Sequence, residues 1–289
     1  MNFASTMQKF QDWVTQQWVI LSGRKFDPST HEWLLGPFGE INSLGQDFIQ
    51  QLAAKENMTV EINQNNTGLI SSIDALGIDS IKLQKLPKEI IDFYEHTSHY
   101  QLNLSVKWNS YFRFFGWIVN RLFSNRIDQL NIPTTNSKEV EPMTNEIIQL
   151  RDPDSREVRY TIWLRRLVKS NRVIYSGAYQ TCCLPSGIVC IKAVFPLPKG
   201  NATVLIKTSI SKNNELILDS SGKQFGDAGF YFLLNDSRGN FWAKFVSSFT
   251  DQLIVSQVAG NLRAKQTLKL WNMTVVNFDY DIEKVGRFQ

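Results

Sequence analysis

The chain has 289 residues, of which 43% are hydrophobic and 12% aromatic, and its formal net charge at pH 7 is +4. That length and composition are typical of a globular protein with a substantial core, built as one large domain or two smaller ones. The mild positive charge is spread along the chain, which argues against a protein that binds nucleic acid.

The N-terminus and the cysteines indicate the compartment. No basic segment followed by an apolar run and a small-residue cleavage site opens the chain, so we expect no secretory signal. No uninterrupted apolar stretch approaches the roughly 18 residues that indicate a transmembrane helix. The three cysteines, two of them adjacent, do not form the pattern of a disulfide framework. We therefore expect a cytoplasmic protein.

The first predicted element is an amphipathic helix over residues 3–21, which Gly23 ends. Its only basic residue is Lys9, so we expect the helix to dock on a sheet rather than on an anionic membrane. A second helix is predicted at about 43–55, and the polar run 63–68 is predicted to be an exposed loop. The apolar face of the first helix comprises Phe3, Met7, Phe10, Val14, Trp18 and Leu21.

Residues 75–83, with the sequence Ala-Leu-Gly-Ile-Asp-Ser-Ile-Lys-Leu, resemble the phosphopantetheine attachment site of acyl and peptidyl carrier proteins. In that family the serine after Leu-Gly-x-Asp begins a long helix. Here Pro87 limits the following helix to less than two turns, because proline disrupts a helix interior. We therefore favour a short turn that leads into the next helix.

A helix over 88–99 begins after Pro87, at a position where the missing N–H of proline costs nothing. Two histidines and two carboxylates share one of its faces. Such a face suits acid–base chemistry or metal binding, and it is equally typical of a solvated surface. Neither a His-Glu-x-x-His motif nor a pair of Glu-x-x-His motifs occurs, so we expect no metal site and keep both histidines as candidate catalytic residues. The face comprises Asp92, Glu95, His96 and His99.

A strand at 102–108 and a strongly aromatic helix at 110–130 follow. The apolar residues of this helix nearly encircle it, which favours burial under a sheet. Buried there, Phe114 and Trp117 would line a ligand cavity. The arginines of the helix also suit a membrane interface, so contact with a membrane surface is kept as the alternative.

From residue 146 to residue 282 the sequence is a succession of strand patterns rich in β-branched and aromatic residues. No long helical pattern interrupts them, so we expect neighbouring strands to pair antiparallel. About seven to ten strands are predicted, and one of them spans 268–278. Turns are predicted at 152–155, 169–171, 185–187, 198–201, 212–214, 235–239 and 260–261.

Strict alternation in 158–166 divides the side chains between the two faces of a strand. The uncharged face is predicted to point inward and ends at Arg166. The Arg166 guanidinium would meet an anionic ligand or Asp219, or else be solvated. The predicted inward residues are Val158, Tyr160, Ile162 and Leu164 in this strand, and Val173, Tyr175, Gly177 and Tyr179 in the next one.

Cys182, Cys183 and Cys190 flank the turn at 185–187, so we expect them to lie near one another. Their spacing fits no zinc site, and no base is close enough in sequence to activate a nucleophilic thiol. We expect the three side chains to be buried apolar filler.

Residues 220–229 contain three glycines, together with Lys223 and Asp227, between two strands. The segment lacks the earlier glycine of a P-loop, and no long helix follows it. We expect a flexible loop or a bulged turn. The alternative is a lid over the mouth of a cavity, in which Lys223 and Asp227 would contact a ligand.

These patterns predict an α+β protein in which N-terminal helices pack on a large, strongly curved, barrel-like antiparallel sheet. Residues 1–86 and 87–289 are expected to form one compact unit. Curved sheets with helices across their mouth commonly enclose an apolar cavity, which makes a hydrophobic small molecule the expected partner.

Three functions are compatible with this fold. The first is binding of a hydrophobic or lipid-like small molecule between sheet and helices, the second is a cofactor-independent isomerase, cyclase or hydratase acting on such a molecule, and the third is a peripheral membrane protein. No Rossmann, P-loop or other cofactor motif is present, so we expect no cofactor. Candidate catalytic residues are His96, His99, Arg166, Tyr175, Tyr179 and Asp219, and candidate ligand-binding residues are Phe114, Trp117, Lys192, Lys223 and Asp227.

Overall fold

The structure, a computed structural model, describes residues 4, 10–39, 46–62, 67–112, 142–168 and 173–285. Within these residues the α-helices are α1 (Phe10–Ser22), α2 (Gln46–Lys55), α3 (Ser80–Leu83) and α4 (Lys88–Glu95). Short 3-10 helices lie at Pro28–Thr30, Ile73–Leu76 and Thr97–His99. The strands are β1 (Arg24–Phe26), β2 (Thr59–Ile62), β3 (Tyr100–Trp108), β4 (Met143–Arg151), β5 (Val158–Leu167), β6 (Val173–Cys183), β7 (Val189–Leu197), β8 (Gly200–Ile210), β9 (Leu216–Asp219), β10 (Gly229–Asn235), β11 (Phe241–Phe245), β12 (Phe249–Val258), β13 (Asn261–Leu270) and β14 (Met273–Lys284).

Ten of the strands form a closed antiparallel barrel in the order β8-β7-β6-β5-β4-β3-β14-β13-β12-β9, and β9 returns to pair with β8. Closure depends on the length of β8. Its second half pairs with β9, from Lys207 opposite Asp219 to Ile210 opposite Leu216, while its first half pairs with β10. The predicted α+β class and the strongly curved, barrel-like antiparallel sheet are therefore confirmed.

Strands β10, β11 and β1 continue the sheet away from the barrel and cover part of its outer face. Leu205 of β8 and Cys190 of β7 pack there against Tyr231 and Leu233 of β10. The outer face of β7 and β8 is therefore a second hydrophobic core, separate from the barrel interior.

Two of the cysteines lie directly opposite each other on neighbouring strands. Cys182 of β6 pairs with Cys190 of β7, which confirms that these thiols are close. Cys190 is buried and Cys182 is half-buried, but Cys183 is exposed, so the prediction of buried filler is wrong for Cys183. Alternation explains the difference, because Cys183 points to the opposite side of β6 from Cys182.

Helix α1 contacts β10 and β11 through a different face from the one predicted. Val19 and Ile20 pack against Leu234. The chain after α1 can approach β11 closely because residue 23 is glycine, since a Cβ at Gly23 would lie 2.6 Å from the carbonyl oxygen of Ala243. This close contact brings the last helical turn onto the sheet. Of the predicted face, Val14, Trp18 and Leu21 are exposed, although the ring of Trp18 still contacts that of Phe232. Phe3, Met7 and the side chain of Phe10 lie outside the described residues.

One end of the barrel is filled by residues 67–99, here called the plug. Leu69, Ile90 and Phe93 of the plug belong to the same hydrophobic cluster as the inward side chains of the barrel strands. Thr97 holds the plug together, because its hydroxyl donates a 2.8 Å hydrogen bond to the carbonyl of Phe93 and accepts a 3.0 Å bond from the Leu69 N–H.

The helix predicted over 88–99 is shorter in the structure. Helix α4 ends at Glu95, His96 adopts a non-helical φ of −136°, and a separate 3-10 turn follows. The hydroxyl of Thr97 bonds to the carbonyls of Phe93 and Tyr94, which a continuing helix would use for its next N–H groups. Side-chain competition for these carbonyls therefore ends the helix early.

The other local predictions for the N-terminal half have mixed outcomes. Helix α2 confirms the helix predicted at about 43–55, within the described part of that range. The short turn favoured at 75–83 is also confirmed, since α3 has four residues and Asp79 caps it by accepting hydrogen bonds from the N–H groups of Ile81 and Lys82. Most of the predicted loop 63–68 and of the predicted helix 110–130 lies outside the described residues.

Six of the predicted turns lie between consecutive strands, and the seventh, at 169–171, lies outside the described residues. The segment 268–278, predicted as one strand, is a hairpin, because β13 ends at Leu270 and β14 begins at Met273. Trp271 and Asn272 form its turn with φ values of 48° and 65°. Tryptophan seldom adopts such a conformation, so the sequence conceals this turn.

The two faces of β5 are assigned the wrong way round by the sequence. Ile162 and Leu164, predicted to point inward, lie on the outer face in a cluster with Phe48 of α2. Trp163 and Arg165 instead line the barrel interior. The outer face of β5 is as apolar as a core because a helix covers it, and the inner face carries a charge because it borders a cavity.

Candidate functional site

The barrel interior encloses a cavity of about 210 Å³, and every strand of the barrel contributes at least one side chain to its wall. The wall is mainly aliphatic and aromatic. Leu69, Phe93 and Tyr94 of the plug close one end. Cavities of this kind, apolar with a few convergent polar groups, are the usual form of small-molecule sites.

Burial of the wall residues changes along the barrel. The lining residues next to the plug, such as Leu102 and Ile282, are fully buried. Phe230, Phe249 and Leu268 also line the cavity but are half-buried. They lie toward the β13–β14 turn, at the end of the barrel away from the plug. The cavity is therefore sealed at the plug and more accessible at the other end.

A chain of hydrogen bonds crosses the polar part of the wall. Gln266 of β13 donates from Nε2 to Asp251 Oδ2 of β12 at 2.7 Å, and the hydroxyl of Tyr280 of β14 donates to Gln266 Oε1 at 3.2 Å. Arg165 hydrogen-bonds to the side chain of Tyr280, and its guanidinium carbon lies 4.5 Å from the ring centroid of Trp163. The donors all run in one direction, from Arg165 toward the Asp251 carboxylate.

Strand register places these four polar side chains on the inner wall. Asp251 shares the inward face of β12 with Phe249, Leu253 and Val255, and it lies opposite Leu268. Alternation along β13 and β14 brings Gln266 and Tyr280 to the same side. A carboxylate on an otherwise apolar strand face is the signal that could have identified this site.

Burial raises the pKa of Asp251 to about 7, an effect that the hydrogen bond from Gln266 opposes and the nearby carboxylate of Asp219 reinforces. Among the residues that the structure describes, none hydrogen-bonds to the Oδ1 atom of Asp251. Asp219 itself points outward and lies 3.5 Å from the ammonium of Lys207. The interior carboxyl therefore changes charge close to neutral pH, which is the property of a group that responds to a ligand or a proton.

Of the predicted site residues, Tyr179 lines the cavity. Its ring is 5.9 Å from that of Trp163, and the predicted inward direction of Tyr179 is confirmed. Arg166 does not line the cavity, because alternation along β5 points it away from the interior that the adjacent Arg165 faces. Its guanidinium lies 3.6 Å from the carboxylate of Glu146.

Lys192 is only 3% exposed, but it lies on the outer face of β7 rather than in the cavity. Its ammonium donates to the backbone carbonyls of Leu35 and Glu32, in the segment that covers this face. Burial lowers its pKa. Asp219 also stands outside the cavity wall, on the outer side of β9.

The two candidate histidines lie at the end of α4 and do not line the cavity. His96 Nδ1 is 2.9 Å from Asp92 Oδ1, and the rings of His96 and His99 stack with their centroids 5.8 Å apart. Glu95 accepts a 2.7 Å hydrogen bond from the N–H of Ile73 instead of joining them. The described residues contain no cluster of three or more His, Cys, Asp or Glu side chains placed to hold a metal ion.

Lys223 and Asp227 lie in the loop between β9 and β10. Asp227 Oδ2 accepts hydrogen bonds from the N–H groups of Lys223 and Gln224 at 2.9 and 3.1 Å, so the segment is a self-bonded turn. Neither side chain lines the cavity. Phe114, Trp117 and the side chain of Tyr175 fall outside the part of the chain that the structure describes.

No protein-family model matches the sequence, and no solved structure matches it. The chain is 25% identical over 216 residues to a protein of Bacillus subtilis (strain 168) described as the uncharacterized membrane protein YndJ. The match covers 74% of this chain and 37% of that protein, so the chain spans well under half the length of this relative. In the described part of the present chain, no helix is long and apolar enough to cross a bilayer.

Proposed function

We propose that the barrel binds a small, largely apolar molecule inside its cavity. The observation that carries the proposal is the wall itself: apolar side chains from all ten barrel strands surround about 210 Å³ of space, with polar groups gathered in one region. An apolar ligand in this space would gain the free energy of leaving water without requiring many polar contacts.

The size of the cavity limits the ligand. At about 30 Å³ for each water-sized group, 210 Å³ holds roughly seven such groups. That is below the approximately 300–1,000 Å³ typical of sites for drug-sized molecules. The proposed ligand is therefore a short or medium chain, or a compact ring, rather than a complete phospholipid.

A cavity-filling substitution tests this function. Ala264 is buried, lines the cavity and lies beside Lys265, which is exposed on the opposite face of β13. Ala264→Phe should abolish saturable binding of a polarity-sensitive fluorescent probe, while the matched control Lys265→Phe should bind it like the wild type. If Ala264→Phe unfolds the barrel, Ala193→Leu fills the same cavity with a smaller increase in volume. Equal probe binding by the wild type, Lys265→Phe and a folded cavity-filled variant would contradict the proposal.

The state of Asp251 favours a second candidate, a cofactor-independent enzyme acting on the same ligand. A carboxyl with a pKa of about 7 in an apolar cavity is suited to accept and return a proton at neutral pH. Asp251 would be the acid–base residue, with Gln266 and Tyr280 holding its position. Turnover of a bound compound that Asp251→Asn abolishes while retaining affinity would support this candidate over simple binding.

A further inference from the structure

We propose that the ligand of the cavity is an apolar alcohol of about eight carbons whose hydroxyl group binds between Asp251 and Gln266. This inference rests on the proposed binding function and specifies the chemical class of the ligand. The juxtaposition that carries it is an interior carboxylate with a buried, unbonded oxygen beside a side-chain amide that has a second N–H.

The hydrogen-bonding capacity of the polar chain supports a group that both donates and accepts. The carbonyl of the Gln266 side chain accepts from Tyr280, and one of its two amide hydrogens is donated to Asp251. The carboxylate of Asp251 can therefore still accept a hydrogen bond, and the second amide hydrogen of Gln266 can still be donated. A hydroxyl group satisfies both, by donating to Asp251 and accepting from Gln266.

The charges of the cavity disfavour an anionic head group at this point. A ligand carboxylate would have to approach the ionised carboxyl of Asp251, and like charges in an interior of low dielectric constant repel each other strongly. The one guanidinium in the described wall, that of Arg165, already contacts Trp163 and Tyr280. An ether or a hydrocarbon would leave Oδ1 of the ionised carboxylate without a donor.

The volume constrains the proposed length. An eight-carbon alcohol has nine non-hydrogen atoms, about two more than the roughly seven water-sized groups that the cavity holds, so the excess would lie at the more accessible end of the barrel, away from the plug. Leu253, Val255 and Leu218 would surround the hydrocarbon chain, since they line the cavity on the plug side of Asp251.

The test compares three ligands of equal length by displacement of the fluorescent probe at pH 8. These are 1-octanol, its isomer heptyl methyl ether, which has no O–H, and octanoate. We expect 1-octanol to bind at least about tenfold more tightly than the ether or octanoate, because a hydrogen bond to a charged group is at stake. The advantage over the ether should disappear in Asp251→Leu and persist in Asp219→Asn, whose carboxylate lies outside the cavity wall. If Asp251→Leu does not fold, Gln266→Met tests the other half of the site, because it removes the amide from which the hydroxyl would accept, and the advantage over the ether should then be reduced.

The possible outcomes distinguish a failure of the alcohol inference from a failure of the proposed binding function. If the ether or octanoate binds as tightly as 1-octanol, the proposal that the ligand is an alcohol is wrong, while the proposed binding of an apolar molecule still stands. An advantage for 1-octanol that survives in folded Asp251→Leu would overturn the assignment to the carboxylate. Failure of all three compounds to displace the probe would overturn both this inference and the proposed function.

Discussion

Gln266 donates a 2.7 Å hydrogen bond to the carboxylate of Asp251 inside the barrel, and this bond joins two neighbouring strands across the wall of the cavity. The bond favours the ionised form of Asp251, while burial favours the neutral form and prevails. The resulting balance links the stability of the barrel to pH.

The first prediction concerns Asp251→Asn. Because the pKa of Asp251 is about 7 in the folded protein and near 3.8 when unfolded, the folded state binds this proton more tightly. The contribution of Asp251 to stability therefore falls as pH rises from about 4 to about 7. The variant cannot ionise, so it should be more stable than the wild type at pH 8 and show no such advantage near pH 4. Urea unfolding at both pH values measures this.

Asp279→Asn is the control, because Asp279 is exposed on β14 and its substitution should leave the pH dependence unchanged. The polar and titratable groups that interact with Asp251 are Gln266, Tyr280 and Asp219. A pH profile of Asp251→Asn parallel to that of the wild type would contradict the assignment of the raised pKa.

The second prediction concerns the junction between β3 and β4, which pair at one position, Leu102 opposite Met143, among the described residues. Asn145 reinforces the junction by donating to the carbonyl of Tyr100 at 2.7 Å and accepting from the indole N–H of Trp163 at 2.9 Å. Asn145→Ala should reduce the free energy of unfolding by at least about 2 kcal/mol, since each buried polar group left unsatisfied costs about 1–3 kcal/mol.

Thr144→Ala is the matched control for Asn145→Ala. Thr144 is the adjacent residue on β4 and is exposed, so its loss should change stability by less than about 0.5 kcal/mol. Equal effects of the two substitutions in urea unfolding would show that the buried network does not hold the junction.

The third prediction concerns the attachment of the plug. Asp92 of α4 accepts hydrogen bonds from Tyr100 of β3, from Lys284 of β14 at 2.7 Å and from His96. Burial alone would raise the pKa of Asp92, but the bonds from Lys284 and Tyr100 lower it to about 2. Asp92→Asn should therefore destabilise the protein at pH 7 by roughly 1–2 kcal/mol, allowing for the screening of a partly exposed group.

The sign of the pH effect is opposite to that for Asp251. The stabilisation from Asp92 is present above about pH 4 and is lost as pH falls toward 2, so the difference between wild type and Asp92→Asn should shrink in acid. Hydrogen exchange of the plug amides, such as Leu69 and Ile70, should also be faster in the variant at pH 7. Unchanged exchange there would show that Asp92 does not anchor the plug.

The fourth prediction uses the turn between β13 and β14. Trp271 and Asn272 both have positive φ, a geometry that Asn-Gly adopts readily in two-residue hairpins. Trp271→Asn combined with Asn272→Gly should stabilise the protein by about 0.5–1 kcal/mol. Trp271→Asn combined with Asn272→Ala should destabilise it, because alanine resists this conformation. Identical melting temperatures for the two double variants would contradict the assigned turn.

Patterns with a local physical cause were predictable from the sequence. Alternation in β3 predicted a strand, and its inward residues Leu102, Leu104 and Val106 are buried. Pro198 and Gly260 mark turns because their backbone preferences act within a few residues. A sheet made of many such strands is expected to close into a barrel, because closure pairs the two edge strands that would otherwise be exposed.

The assignment of faces in β5 depended on partners distant in the chain and therefore failed. Ile162 and Leu164 are buried because α2 covers them from outside, which no property of β5 reveals. The same rule, that a charge marks the solvent side, placed Arg165 on the outer face although it faces the cavity, and Asp251, which also faces the cavity, was not predicted as a site residue. Asp251 nevertheless breaks the apolar alternation between Phe249 and Leu253, and that break is a usable signal in the sequence.

The most direct test of apolar binding is to locate a bound ligand by nuclear magnetic resonance. The chain is prepared with labelled methyl groups, and 1-octanol and heptyl methyl ether are each added in turn. We predict intermolecular nuclear Overhauser effects from the ligand chain to the methyl groups of Ala193, Leu218 and Val255, which line the cavity. Effects confined to exposed methyl groups, such as those of Leu21, Ile81 and Val158, would contradict a ligand site inside the barrel.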